Sequence, residues 1–213
     1  MKKLLSSIKV RRLTLGVVIA TLLAIGGLAV YNLRTHTPTA ETITYSTDTP
    51  SETRPDSKYK WEGASNDPKK IKISSIGVDA YIQNVGVDQN NQVAVPTNLY
   101  LVGWFVDTVR PGEKGLSLID GHVSGRRNDG VFKDLDKLKV GDEYAVEFGD
   151  GTTEKFKVIG KESAPVSKAV SVMFSQRPGV SNQLNLVTCS GAFDAKTSTY
   201  SERLTVFSEK IET

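Results

Sequence analysis

Cysteine is almost absent from this chain. Among 213 residues there is one, Cys189, so an internal disulfide is excluded. The staple of many small secreted domains is therefore missing, and a packed core has to hold the fold by itself. Histidine is nearly as scarce, with only His36 and His122. No cluster of His, Cys, Asp and Glu has metal-ligand spacing, and one cysteine with one usable histidine excludes a structural zinc site, so neither metal nor cofactor is expected. Also missing is a long Lys/Arg stripe with interleaved aromatics. The formal charge is +3, but Lys2, Lys3, Lys9, Arg11 and Arg12 carry five positive charges, which leaves the remainder at −2. A slightly acidic body is a poor match for a phosphate backbone, and nucleic acid is excluded as a partner. No internal repeat is present. With 38% hydrophobic and 24% charged residues, the composition is that of a globular protein and not of a disordered or collagen-like one.

Residues 13–33, LTLGVVIATLLAIGGLAVYNL, carry no charge, and about 20 apolar helical residues cross a bilayer. The reading is a transmembrane anchor that holds on to membrane lipid; a cleaved signal peptide is the alternative, with an apolar region of about 7–15 residues. Residues 1–12 hold the five basic residues, against only Arg34 soon after the span. That asymmetry predicts a cytoplasmic N-terminus and an extracellular remainder, so the chain is expected to be a single-pass protein of the cell membrane. Residues 34–68 are crowded with Thr, Ser, Pro, Asp and Glu and predict a flexible extracytoplasmic stalk. Tyr59 and Trp61 mark its last part as a short helix or lid on the domain that follows. Residues 69–213 are the expected folded domain.

Within that domain short β-branched and aromatic runs (IKISSI, YIQNVGV, LSLIDGHV, EYAVEF, EKFKVIGKES, LNLVTCS, RLTVFSEKI) alternate with Gly, Asp, Asn and Pro. The pattern predicts a mostly β fold with short helical inserts. Asp150-Gly151, between residues 143–148 and 154–159, predicts a hairpin because both residues tolerate positive φ. VFKDLDKL, at 131–138, places Val131, Phe132, Leu135 and Leu138 at helical spacing and predicts a helix of one or two turns capping an end of a barrel.

His36 falls in the stalk, which leaves His122 as the histidine positioned for chemistry. It ends the strand-like run at 116–120, just after Gly121, which lets the backbone turn. Cys189 sits in LNLVTCSG, where an apolar strand meets Ser190 and Gly191. A thiol there emerges at a strand end, and even a few per cent of thiolate is strongly nucleophilic when a histidine can carry the proton. Arg203 follows 14 residues later in SERLTVFSEK, where alternation puts Arg203 and Thr205 on one face and Leu204 and Val206 on the other. On an antiparallel neighbour it returns beside Cys189, able to donate hydrogen bonds to a developing oxyanion. Each residue also has an ordinary alternative: a loop histidine, a small buried hydrophobe, a solvated arginine.

Ile119-Asp120-Gly121-His122, then Leu186-Val187-Thr188-Cys189, then Arg203 on the next strand, resembles the His, Cys and Arg signature of sortases. The likeness spans roughly residues 69–211, including PGEKGLSLIDGH and VFKDLDKLKVGDEY, and among sortase groups VGWF, PGEKG and GVFKDL look most like classes F and E. It implies a closed eight-stranded β-barrel with short helices. It further implies a cysteine transpeptidase of hydrolase type that cleaves an LPXTG-like sorting signal through a thioester on Cys189, with His122 as proton carrier and Arg203 as oxyanion stabiliser. The acyl group would pass to an amine of a peptidoglycan precursor or a pilin, joining surface proteins to wall or pilus. Thr188, Trp104 and Val123 are candidate substrate-binding residues, with Phe105 a further wall candidate. The amide of Ser190, or one in the loop after His122, could complete the oxyanion site. The pattern departs from the family at two places. Asn185 stands where sortases commonly have Thr, and Asp120 is unusual before Gly-His; it either orients His122 or is a solvated loop carboxylate.

Two other functions use the same features. A thiol hydrolase would pass the acyl group to water, and a membrane-tethered β module would bind wall polymers or surface proteins with no need of Cys189.

Overall fold

The computed structural model describes residues 49–88 and 92–212. The expected cytoplasmic segment and membrane span, residues 1–33, lie outside the described residues, as does the first part of the stalk. Among the described residues no helix is long and apolar enough to cross a membrane.

Eight strands among the described residues close into a barrel. They are β1 (Pro68–Ile73), β2 (Val78–Val85), β3 (Val102–Phe105), β4 (Gly115–Gly121), β5 (Glu143–Phe148), β6 (Thr153–Pro165), β7 (Asn182–Asp194) and β8 (Thr199–Lys210). Around the barrel the order is β1-β2-β3-β4-β7-β8-β6-β5. Most neighbours are antiparallel, but β2 with β3 and β4 with β7 are parallel, so each of those pairs is joined by a crossing connection. Closure leaves no open sheet edge.

Period-two alternation decides which side chains fill the barrel. Ile71, Ile73, Ile82, Val102, Trp104, Ile119, Leu186, Leu204 and Val206 point inward with Phe132, Leu135, Leu138, Tyr144 and Phe156. A full turn of burial for a side chain such as Phe132 is worth roughly 1.5–3 kcal/mol relative to exposure. The stretch at 131–138 does close onto this core, yet as turns and a single 3-10 turn, Leu135–Lys137, in place of the expected helix. Packing explains the difference: Phe132, Leu135 and Leu138 are all fully buried, and a tighter backbone brings the three inward together. The Asp150-Gly151 hairpin forms between β5 and β6, with Gly151 at φ 85° and both the amide and hydroxyl of Thr152 donating to Asp150 Oδ1.

The sequence reading does not anticipate α1, Val166–Met173, in the connection from β6 to β7. Ala169 and Met173 on its inner side pack with Phe105, Leu118 and Val187 into a second apolar cluster on the outer face of β3, β4 and β7. Two buried amides of β7 tie down the chain leaving α1. Asn185 Nδ2 donates to the Met173 carbonyl at 2.7 Å, and Gln183 Nε2 donates to the Ser175 carbonyl at 2.8 Å.

Residues 49–67, assigned above to the stalk, run along the barrel. Trp61 Nε1 donates to the Ile82 carbonyl at 2.9 Å, and the Tyr59 and Tyr81 rings lie 4.8 Å apart. The buried Asp67 carboxylate accepts from the Ala64 amide and Asn84 Nδ2, and pairs with Arg110 at 3.3 Å. This stretch contains neither helix nor strand; Ser51 makes an isolated bridge with Asn98.

Candidate active site

Three neighbouring strands position the three residues singled out by the sequence: β7 carries Cys189, β8 carries Arg203, and His122 directly follows β4. Asp120 of β4 is level with Val187 of the parallel β7, so His122, one residue past the end of β4, comes level with Cys189. Cys189 is in turn the register partner of Arg203 on antiparallel β8. Strands in a sheet lie about 4.8 Å apart, so the three residues form one row across the sheet. Thr188 Oγ1 donates to the Gly121 carbonyl at 2.7 Å, which pins the end of β4 to β7 at the rung beside this row.

Alternation puts the row on the outside of the barrel. Ile119, Leu186 and Leu204 face the core, so Asp120, Cys189 and Arg203 face the opposite way, on the side of Leu118 and Val187. Cys189 and His122 are half-buried.

Orientation of the histidine comes from the connection between β2 and β3. His122 Nε2 lies 2.7 Å from the carbonyl oxygen of Pro96. A carbonyl only accepts, so Nε2 carries the proton and Nδ1 is the free lone pair of the neutral ring. Burial pushes the imidazole below its ordinary pKa, and the bond to Pro96 offsets this in part. Burial also pushes the Cys189 thiol up; Arg203 pulls it down and Asp120 pushes it further up. Both shifts favour a resting pair of neutral thiol and neutral imidazole. Arg203 Nη1 donates to the carbonyls of Tyr200 and Glu202 at 3.1 and 2.9 Å, which fixes the plane of a guanidinium with five N–H groups.

Asp120 answers to neither of the descriptions the sequence allows. It lies within β4 and is buried, not solvated in a loop. It also does not orient the imidazole, since that place is taken by Pro96, and its charge acts on the thiol. Its Oδ1 has no hydrogen-bond partner, and it leans over Gly103, where a Cβ would come within 2.5 Å of that oxygen. Burial drives its pKa well above the ordinary carboxylate range.

The remaining candidates fall on different sides of the sheet. Trp104 and Thr188 are buried on the inward face, Trp104 with its Nε1 donating to the Val109 carbonyl at 3.2 Å. Neither side chain lies on the face that carries Cys189. Phe105, next to Trp104, is on the outer face with Leu118 and Val187. Val123 is half-buried in the loop after His122, and its carbonyl accepts from the Gly130 amide at 2.9 Å. Ser190 Oγ is buried without a partner. The long β7–β8 hairpin reaches the histidine loop through Tyr200, whose hydroxyl is 2.7 Å from Ser124 Oγ. Pro96, Ser124 and Tyr200 carried no signal in the sequence, because their roles depend on contacts between distant segments. Asp120 did carry one, since LSLIDGH places it two residues before His122 and so on the same face. Among the described residues no group of three or more His, Cys, Asp or Glu side chains is placed to hold a metal ion.

The sortase domain family matches residues 71–211, and the chain belongs to the sortase family, a class of cysteine transpeptidases. Solved structures give the same fold. Sortase C-1 from Actinomyces oris is 26% identical, over 69% of this chain and 76% of its own, with a TM-score of 0.50. A lid mutant of sortase A from Corynebacterium diphtheriae is 21% identical, over 68% and 70%, with a TM-score of 0.53. A sortase D5 transpeptidase from Clostridium perfringens is 24% identical, over 68% and 79%, at 0.50. No curated protein matches the chain.

Proposed function

We propose that this sortase cleaves an LPXTG-like sorting signal and transfers the acyl part to an amine, with Cys189, His122 and Arg203 as its catalytic residues. The observation that carries the reading is the row of those three residues across β4, β7 and β8 on the outer face of the barrel.

Chemistry follows from the resting protonation states. His122 Nδ1 takes the thiol proton as Cys189 Sγ attacks the scissile carbonyl, forming a C–S bond and an oxyanion. Arg203 stabilises that charge, an effect on the order of 3 kcal/mol for a well-placed donor. Collapse of the intermediate breaks the C–N bond, the leaving amine takes the proton from Nδ1, and a thioester remains. An acceptor amine then attacks the thioester and gives its proton to Nδ1, the C–S bond breaks, and the leaving thiolate takes that proton back from Nδ1. The expected acceptors are a peptidoglycan precursor or a pilin amine, and the expected substrates are surface proteins bearing the signal. Val123, next to His122 in its loop, and Phe105, on the same outer face of the sheet, are the wall residues this reading retains. A membrane anchor at 13–33 would place the enzyme outside the cell and raise its effective concentration toward membrane-held substrates. Class F or E character, suggested by VGWF, PGEKG and GVFKDL, belongs to the same proposal.

The test is product analysis with an LPXTG peptide and triglycine. A ligated product from the parent chain, lost in Cys189→Ala and reduced at least about a hundredfold in His122→Ala, supports the reading. Product that stays unchanged in Cys189→Ala refutes it, and cleavage unaffected by triglycine makes the chain a hydrolase.

A further inference from the structure

The histidine loop is held by a residue that precedes the barrel. Ser51 pairs with Asn98; its amide donates to the Thr97 carbonyl at 2.8 Å, and its carbonyl accepts from the Leu99 amide at 2.9 Å. Asn98 Nδ2 donates to the Thr53 carbonyl at 2.9 Å. Residues 51–53 are thus sewn to the segment that follows Pro96, whose carbonyl holds His122 Nε2.

Between these stitches Glu52 reaches the other way, to the loop that leaves His122. Its Oε1 accepts from the Arg126 amide at 2.6 Å and the Arg127 amide at 3.3 Å. Its Oε2 accepts from Asn128 Nδ2 at 2.7 Å and again from the Arg127 amide at 3.3 Å. Successive backbone amides turned toward one carboxylate form an anion cradle, and such charge-assisted bonds are stronger than neutral ones. The hydrogen bonds hold the Glu52 carboxyl below its usual range, which agrees with an anion kept in place. Gly125 makes the fit possible, because a Cβ there would lie 2.6 Å from Glu52 Oε1 and 2.9 Å from Leu99 Cδ2. An exposed side-chain ion pair would contribute little, but here the partners are backbone amides of one short loop, so the bonds define that loop's path.

We propose that Glu52 is a positioning residue for His122: it fastens the loop after the histidine to the same segment that carries the Pro96 carbonyl, so that the imidazole is held from both sides. The inference rests on the catalytic role proposed for His122, whereas its structural half does not. A histidine that must present Nδ1 to a thiol loses rate when it is misplaced by about an ångström, by something like a hundredfold.

The experiment uses the full chain with Glu52→Ala, Glu52→Gln and Asn128→Ala, and Lys60→Ala as an exposed control on the same segment. Transpeptidation kinetics are measured beside the ¹⁵N resonances of the His122 ring. Glu52→Ala should lower kcat on the order of 10- to 100-fold with KM changed less than about 3-fold, and should shift the ring resonances toward a mixture of tautomers. Glu52→Gln, which keeps an acceptor for the Arg126 amide, should recover most of the rate, and Lys60→Ala should match the parent. Should Glu52→Ala not fold, Glu52→Gln and Asn128→Ala carry the test with smaller shifts in the same sense. Parental kcat and parental ring resonances in every Glu52 and Asn128 variant overturn the proposal, as does a lower kcat with an unmoved ring. If His122→Ala itself keeps full activity, the functional reading fails, and the ring resonances still decide whether Glu52 positions the histidine.

Discussion

The Nε2 atom of His122 and the carbonyl oxygen of Pro96 are 2.7 Å apart, and this contact leaves Nδ1 as the open nitrogen of the ring. The proposed proton transfer therefore falls to Nδ1. In ¹⁵N NMR at neutral pH, His122 should be the Nε2–H tautomer and should titrate below the ordinary histidine value, because burial disfavours the cation. An Nδ1–H tautomer would contradict the assignment.

Asp120 and Arg203 act on the thiol in opposite senses. Asp120→Asn removes a negative charge and should move the pH midpoint of Cys189 alkylation downward, whereas Arg203→Gln should move it upward. The same buried carboxyl bears on stability. Its folded pKa is raised, so between its unfolded and folded values the native state binds the extra proton, and stability falls as pH rises through that window. Asp120→Asn should flatten this fall in thermal unfolding measured from acid to neutral pH; an unchanged slope would show that folding does not raise the pKa of this carboxyl.

Gly121 lets the histidine loop meet the barrel core. A Cβ at this position would sit 2.7 Å from Phe132 Cδ2 and 2.9 Å from Val131 Cγ1. Gly121→Ala should therefore displace the turn that carries His122, lowering kcat at least about tenfold while costing about 1–3 kcal/mol of stability from overpacking. Denaturant unfolding and steady-state kinetics check the two halves separately.

Asn185, where the family commonly has Thr, is fully buried and donates to the Met173 carbonyl at the end of α1. Asn185→Ala should cost about 1–3 kcal/mol, because it orphans that carbonyl and also leaves Gln183 Nε2 without the Asn185 Oδ1 acceptor. Proteolysis should first cut the chain between α1 and β7. Asn185→Thr should fall between the two, since a hydroxyl has a shorter reach.

How far these features were legible in the sequence depends on the range of the interactions behind them. Strands such as Glu143–Phe148 and the turn at Gly151 follow from alternation and φ preference, which are local. His122, Cys189 and Arg203 were found through short motifs, and the parallel pairing of β4 with β7 then put them in a row. The helix expected at 131–138 became turns because the barrel core drew Phe132, Leu135 and Leu138 inward together. Trp104 looked like a pocket wall, yet its strand position turns it inward and gives the outer face to Phe105. Glu52 and Pro96 were invisible, since each acts through a segment far away in sequence.

The most direct measurement is intact-mass spectrometry of the chain with an LPXTG peptide, before and after triglycine is added. An acyl adduct on Cys189 is expected, absent from Cys189→Ala, that disappears with triglycine as the ligated peptide forms. No adduct and no product across a panel of sorting motifs, from a folded protein, would contradict it.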